Sequence, residues 1–92
     1  MAERLKYLVG GEWKDTKSGV YYEITNSSTG EVMAEAPRCT ADEVDAAVEA
    51  AAAAFPGWRD TPITKRVQVM FKMKMLLEEN LHDLAKLLAM EM

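Results

Sequence analysis

The residues that could perform nucleophilic or acid–base chemistry are few and lie far apart in the chain. Cys39 is the one thiol and His82 the one imidazole. A reactive thiolate needs an electropositive setting, and only Arg38 and a predicted helix start at Thr40 could provide one. We therefore interpret Cys39 as a packed loop residue and His82 as a surface residue of a helix.

The carboxylates and glycines do not form a known catalytic or phosphate-binding pattern. Glu78 and Glu79 are adjacent, so they point in different directions on a helix and cannot act as an acid–base pair. The glycines stand at positions 10, 11, 19, 30 and 57, which gives no G-x-G-x-x-G loop. From these residues alone we predict no catalytic and no cofactor-binding residue.

Length and composition exclude several classes of protein. The length of 92 residues predicts one small domain. The net charge of -4 argues against binding of nucleic acid. No run of 18 apolar residues predicts a membrane span, and the charged start lacks the apolar segment of a signal peptide. A single cysteine allows no internal disulfide. We expect a cytoplasmic protein with no nucleic-acid or membrane partner.

Residues 1–38 read as strands and turns. Leu5, Tyr7 and Val9 share one face at period two, with Lys6 and Leu8 on the other, and the Gly10–Gly11 pair after them is a two-residue hairpin signal. A second alternation over residues 20–25 is followed by the turn cluster 26–30 and a further strand that ends near Pro37. The pattern predicts two β-hairpins.

After Cys39 the hydrophobic period becomes helical. Thr40 and Glu43 form a capping box for a helix over 40–55, which Pro56 should end. Thr61 is expected to cap the next helix, with Pro62 in its first turn. The apolar pattern then runs almost to the end, and one helix would be about 46 Å long, more than a domain of this size can hold. The weak helix former Asn80 divides it into helices over 62–79 and 81–91.

The predicted fold class is therefore α+β, with two β-hairpins followed by three helices. The last two helices carry apolar side chains over more than one stripe, and such helices expect neighbours on several sides. The strands and the first helix are too few to cover them. We expect the Met- and Leu-rich helices to contact material outside this chain or a second copy of it.

Five short motifs occur in an order that resembles the amino-terminal segment of the NAD(P)-dependent aldehyde dehydrogenase superfamily. They are VGGEW at 9–13, NSSTGEV at 26–32, ADEVDAAVEAA at 41–51, AFPGW at 54–58 and LLEEN at 76–80. Each is weak singly, whereas all five in order are specific. Ser27 departs from the family pattern, which usually has proline there, so we expect a less rigid turn.

The resemblance implies that residues 1–92 are one segment of the nucleotide-binding domain within the α/β aldehyde dehydrogenase fold. The catalytic cysteine, the glutamate base and the nucleotide-binding motif of the family lie beyond Met92, and Cys39 does not match the catalytic motif. The resemblance implies NAD or NADP for a full-length protein, none for this segment alone, and no dehydrogenase activity of the segment. It also implies that the backbone carbonyl of Ile24 could be one ligand of a monovalent cation.

Residues 55–62 and 69–72 lean slightly towards the methylmalonate-semialdehyde branch of the superfamily, which forms acyl-CoA products. The reaction implied is thiolate attack on an aldehyde, hydride transfer, and release of the thioester by water or CoA. The expected partner is the remainder of such a protein, or a second copy of this chain. The alternative is a stand-alone interaction or dimerisation module of the α+β class without catalytic activity.

Overall fold

The computed structural model describes residues 3–92, so residues 1 and 2 of the predicted strand region lie outside the described part. Five short strands precede three helices, and the predicted α+β class is confirmed. The strands are β1 (Glu3–Arg4), β2 (Tyr7–Val9), β3 (Glu12–Lys14), β4 (Tyr21–Thr25) and β5 (Val32–Pro37), and the helices are α1 (Ala41–Asp60), α2 (Ile63–Glu79) and α3 (Leu81–Glu91).

The first predicted hairpin is formed by β2 and β3. They pair antiparallel, with Tyr7 opposite Lys14 and Val9 opposite Glu12. Gly10 and Gly11 connect them with φ values of 59° and 78°. Both central residues thus have positive φ, which is the requirement of the turn that best follows the twist of a hairpin.

The second hairpin belongs to a three-stranded sheet with the order β1-β5-β4. β4 and β5 pair antiparallel, as expected, and β1 adds a parallel pairing to β5 that the sequence pattern did not predict. The Arg4 guanidinium reinforces this pairing: Nε lies 2.9 Å from the Glu35 carboxylate, and the group stacks 4.7 Å from the centroid of the Tyr21 ring. Local alternation cannot reveal such a contact between distant segments.

The expected end of the first helix near Pro56 was wrong, because α1 continues to Asp60 with Pro56 inside it. A proline fixes φ near the helical value, so it can stay in a helix at the cost of the hydrogen bond to the carbonyl four residues earlier. The chain leaves the helix only at Thr61, whose N–H donates to the carbonyl of Trp58.

Two predicted caps act on the helix before them rather than the helix after them. Thr61 does not cap α2; its hydroxyl donates to the Gly57 carbonyl at 2.7 Å and closes α1. Asn80 divides α2 from α3 as predicted, but its side-chain amide donates to the Leu76 carbonyl at 2.8 Å, and no side-chain bond caps α3. In both cases the side chain donates to a carbonyl in the last turn of the preceding helix, where the carbonyls lack helical partners.

Ser27 joins the turn after β4 to the end of α3. Its N–H donates to the Met90 carbonyl at 2.9 Å, and its hydroxyl lies 3.4 Å from the same oxygen. The turn itself is organised by Asn26, whose side-chain oxygen accepts from the N–H groups of Ser28 and Thr29. A proline at position 27 has no N–H, so the serine provides a contact that the usual residue of the family motif cannot make.

Within residues 3–92, the hydrophobic core is reduced to one buried side chain, Ala36. The accessible surface is 7736 Å², whereas a compact protein of this mass exposes about 5,400 Å². The radius of gyration is 16.9 Å, against about 12 Å for a compact domain of this length. The apolar fraction of the sequence is therefore not used for a core within this chain.

Matched substitutions at two glycines test the backbone conformations of the hairpin turn and of α1. An added Cβ meets no atom within 4 Å at Gly11 or at Gly57, but Gly11 has positive φ and Gly57 lies inside α1. We expect Gly11→Ala to destabilise the chain by about 1 kcal/mol and Gly57→Ala to stabilise it by about 1 kcal/mol. Urea unfolding followed by far-UV circular dichroism measures both, and shifts of the same sign would contradict the assignment.

Candidate functional site

The densest group of polar contacts surrounds the carboxylate of Glu43 in the first turn of α1. Its Oε1 accepts from the hydroxyl of Thr16 at 2.6 Å and from the N–H of Thr40 at 2.9 Å. Its Oε2 accepts from the hydroxyl of Tyr7 at 2.7 Å and from the N–H of Lys17 at 3.2 Å. Four donors from three separate parts of the chain thus converge on one side chain.

The capping box predicted from Thr40 and Glu43 is the local part of this cluster. Thr40 accepts from the N–H of Glu43 at 3.1 Å, and the return bond from Glu43 completes the box. Sequence reasoning missed Tyr7, Thr16 and Lys17, which lie 36, 27 and 26 residues away from Glu43. The capping box was the one signal that pointed towards them, because it fixes where the carboxylate lies.

The hydrogen bonds shift the ionisation of both partners in opposite directions. The bond from Thr16, with those from Thr40, Tyr7 and Lys17, lowers the pKa of Glu43 from 4.5 to about 2, although burial opposes the shift. The bond to Glu43, with burial and the negative charge of that carboxylate, raises the pKa of Tyr7 from 10.0 to about 12. The pair is therefore an ionised glutamate and a neutral tyrosine near pH 7.

This arrangement favours a held charge over proton transfer. A general base works best with a pKa near the operating pH, and the pKa of Glu43 lies far below it. All its accepted bonds come from groups that position the hairpin and the loop at residues 15–20 against α1. We interpret the Glu43 cluster (Tyr7, Thr16, Lys17, Thr40 and Glu43) as a structural joint.

Ile24, the predicted cation ligand, lies half-buried in β4 opposite Ala34. The register of β4 and β5 shifts directly after this pair, so Thr25 is opposite Val32 and Met33 is the extra residue. Such a bulge disrupts the regular ladder beside Ile24. One carbonyl is a small part of the several oxygen ligands that hard cations take, so the cation site stays a prediction from the resemblance.

The structure does not bring the two other candidate residues together. Cys39 is half-buried and lines, with Leu8, Val44 and Ala51 among others, an apolar groove of about 380 Å³ between β2 and α1. His82 lies exposed in the first turn of α3. The expected roles in loop packing and on a helix surface agree with these positions.

The described part of the chain has neither a metal-binding cluster nor a membrane-spanning helix. Among residues 3–92, no three or more His, Cys, Asp or Glu side chains form a group that could hold a metal ion. Within the same range, no helix combines the length and the apolar character that crossing a bilayer requires.

Comparison with known proteins identifies the class to which this backbone belongs. The family model described as the aldehyde dehydrogenase family matches residues 13–92. That match covers most of the chain and includes all strands from β4 onward and all three helices. The chain belongs to the aldehyde dehydrogenase family.

Several similar curated proteins are semialdehyde dehydrogenases. Malonate-semialdehyde dehydrogenase 2 of Geobacillus kaustophilus is 40% identical over 97% of this chain. The human mitochondrial methylmalonate-semialdehyde/malonate-semialdehyde dehydrogenase, described as acylating, is 38% identical over 95% of it. The match covers only 18% and 16% of those two proteins, respectively.

A solved structure shares the backbone as well. A protein of Sinorhizobium meliloti 1021, assigned as a methylmalonate-semialdehyde dehydrogenase and complexed with NAD, matches with a TM-score of 0.91 and 34% identity. The match covers 99% of this chain and 18% of that one. The resemblance to the aldehyde dehydrogenases, including the lean towards the methylmalonate-semialdehyde branch, is confirmed.

The acid side of the stability profile tests the role of Glu43. Its pKa is lower in the folded than in the unfolded chain, so its contribution is complete above pH 4.5 and is lost as the pH falls towards 2. We expect Glu43→Gln to lower the stability at pH 7 and to flatten its decline over that window. Glu49→Gln, at an exposed position of the same helix, is the control. Equal acid profiles for wild type and Glu43→Gln, from urea unfolding at each pH, would contradict the role.

The stability of the chain at alkaline pH tests the role of Tyr7 independently of Glu43. The pKa of Tyr7 is higher in the folded chain, so its contribution is complete below pH 10 and is lost as the pH rises towards 12. We expect Tyr7→Phe to remove this part of the alkaline decline, whereas Tyr22→Phe, at an exposed position of β4, leaves it unchanged. The difference between the phenolate absorbance titrations of wild type and Tyr7→Phe isolates the pKa of Tyr7 from those of the other two tyrosines, and an ordinary value for Tyr7 would contradict the hydrogen bond.

Proposed function

We propose that this chain is the amino-terminal structural segment of an NAD(P)-dependent aldehyde dehydrogenase that oxidises a semialdehyde. The observation that carries the proposal is the match to the Sinorhizobium meliloti structure, where nearly the whole chain corresponds to 18% of a longer protein. The similar curated proteins, named as malonate- or methylmalonate-semialdehyde dehydrogenases, support the substrate class. The NAD in the solved relative supports NAD as the hydride acceptor.

The role of the segment is to hold strands and helices in place for chemistry performed elsewhere in the polypeptide. NAD, when bound to the full-length protein, accepts the hydride. A cysteine nucleophile needs a partner base or an electropositive setting, and the groove at Cys39 is lined mainly by apolar side chains. On this proposal the chain alone has no dehydrogenase activity.

The alternative of a stand-alone interaction module draws on the same exposed surface. Large apolar side chains such as Phe71, Leu76 and Leu87 are exposed, as they would be in a chain that binds a copy of itself. The two proposals differ in whether this chain can replace the corresponding part of a dehydrogenase, because a module has no reason to fit there.

A chimaera distinguishes the two proposals. We expect a fusion of this chain to the Sinorhizobium meliloti relative, in place of the matching 18% of that protein, to form NADH from NAD and methylmalonate semialdehyde. The isolated 92-residue chain should form none under the same conditions.

The control is the relative with its own segment, which sets the reference rate. A soluble, folded chimaera that binds NAD but lacks activity would count against the structural role. NADH formation by the isolated chain would contradict its predicted inactivity.

A further inference from the structure

The carboxyl-terminal end of α3 is held by a residue that lies far from it in the sequence. The N–H of Ser27 donates to the carbonyl of Met90 at 2.9 Å, and the Ser27 hydroxyl lies 3.4 Å from the same oxygen. The two residues are 63 positions apart. Within residues 3–92, no other hydrogen bond joins α3 to the strands or to the turns between them. The contact at Ser27 is therefore the polar connection between the last helix and the sheet.

The local features of α3 give it little stability of its own. It has 11 residues, and an isolated helix of this length is marginal in water. None of its described residues is buried, and no side chain of the described chain caps its start. Its last turn contains no basic residue that would compensate the negative end of the helix dipole. The final carbonyls of α3 therefore need donors from outside the helix.

The turn at residues 26–30 holds the Ser27 donor in a frame that is closed by hydrogen bonds. The N–H of Asn26 donates to the Glu31 carbonyl at 2.8 Å, and the N–H of Gly30 donates to the Asn26 carbonyl at 2.7 Å. The side-chain oxygen of Asn26 accepts from two further N–H groups of the turn, at 2.9 and 3.3 Å. A donor that is positioned in this way loses little further freedom when it binds its acceptor.

The backbone N–H of Ser27, rather than its hydroxyl, is the main donor to Met90. A distance of 2.9 Å is typical of an N–H···O bond, whereas 3.4 Å is long for a hydroxyl donor. Any residue except proline supplies a backbone N–H at this position. A hydrogen bond within a protein changes a local equilibrium by roughly two- to tenfold, so the loss of this N–H has a measurable effect on the last turn of α3.

We infer that the turn at residues 26–30 is a tertiary cap of the carboxyl-terminal end of α3, so that the turn and the last helical turn open and close as one conformational unit. Asn26 organises the turn, and Ser27 transmits the conformation of the turn to the carbonyl of Met90. All the groups involved belong to this chain, so the cap does not depend on the proposed function.

Amide hydrogen exchange of the isotopically labelled 92-residue chain, followed by NMR, tests the cap. In the wild type we expect the Ser27 amide to exchange at least about tenfold more slowly than in an unstructured peptide, because its N–H is bonded to Met90. The amides of Glu91 and Met92 report the last turn of α3, and that of Val48 reports α1. Exchange of the Ser27 amide at the rate of an unstructured peptide overturns the inference.

Two substitutions at one position separate the contribution of the N–H from that of the side chain. Ser27→Pro removes the N–H, and we expect the amides of Glu91 and Met92 to exchange at least about threefold faster. Ser27→Ala keeps the N–H and should change the same rates by less than about twofold. Equal effects of the two substitutions overturn the cap. A uniform increase that includes Val48 reports global destabilisation and also overturns it.

A second pair of substitutions tests whether the turn and the helix end are coupled. Asn26→Ala removes two hydrogen bonds inside the turn and leaves the Ser27 N–H in place. We expect it to accelerate the exchange of Glu91 and Met92 at least about threefold. The matched control is Ser28→Ala, whose hydroxyl makes no hydrogen bond within residues 3–92, and its effect should stay below about twofold.

The result of this pair decides the inference even where Ser27→Pro does not fold, as judged by far-UV circular dichroism. Exchange in α3 that responds to Asn26→Ala and not to Ser28→Ala supports one conformational unit. Exchange that is unchanged in Asn26→Ala, or raised equally by both substitutions, overturns it.

Discussion

The carboxylate of Glu43 is the constraint on which the relation between the first hairpin and the helices depends. It accepts hydrogen bonds from Tyr7 in β2, from Thr16 and Lys17 in the loop after β3, and from Thr40 at the start of α1. Thr16 is the one buried polar residue in the described part of the chain. An ionised carboxylate with several good donors is among the stronger polar arrangements that a half-buried site allows. The hairpin and α1 are thereby fixed relative to each other.

Polar contacts of this kind fix the relative positions of the elements, which a hydrophobic core does in most domains. The three-stranded sheet adds the Arg4–Glu35 pair, and Ser27 ties the turn after β4 to the carbonyl of Met90. These bonds are directional, so they define an arrangement, but each contributes modestly to stability in water. The larger driving force of folding, burial of apolar area, is mostly unused within residues 3–92. The arrangement of such a chain is defined by local polar contacts, with little apolar burial of its own.

The parts of the fold that could be predicted from sequence are those with signals a few residues apart. The Gly10–Gly11 turn and the Thr40–Glu43 box are of this kind, and both occur as expected. The parallel pairing of β1 with β5 and the bonds from Tyr7 and Thr16 to Glu43 join distant segments, and no local period encodes them. The predicted end of α1 at Pro56 was wrong, because the proline ring removes one backbone hydrogen bond without forbidding the helix. Of the candidate site, Ile24 came from the resemblance alone, since one backbone carbonyl has no signature in side-chain types.

Side-chain size differs between α1 and the two later helices. The face of α1 towards the hairpin contains Ala47, Ala50, Ala51 and Ala54, which line a shallow groove of about 260 Å³ with Leu8 and Val9. Small side chains allow close approach of a neighbouring element, whereas the long apolar side chains of α2 and α3 are exposed. On the proposed function, the chain contributes to catalysis through packing, because reacting groups keep their geometry only when the elements beneath them are packed.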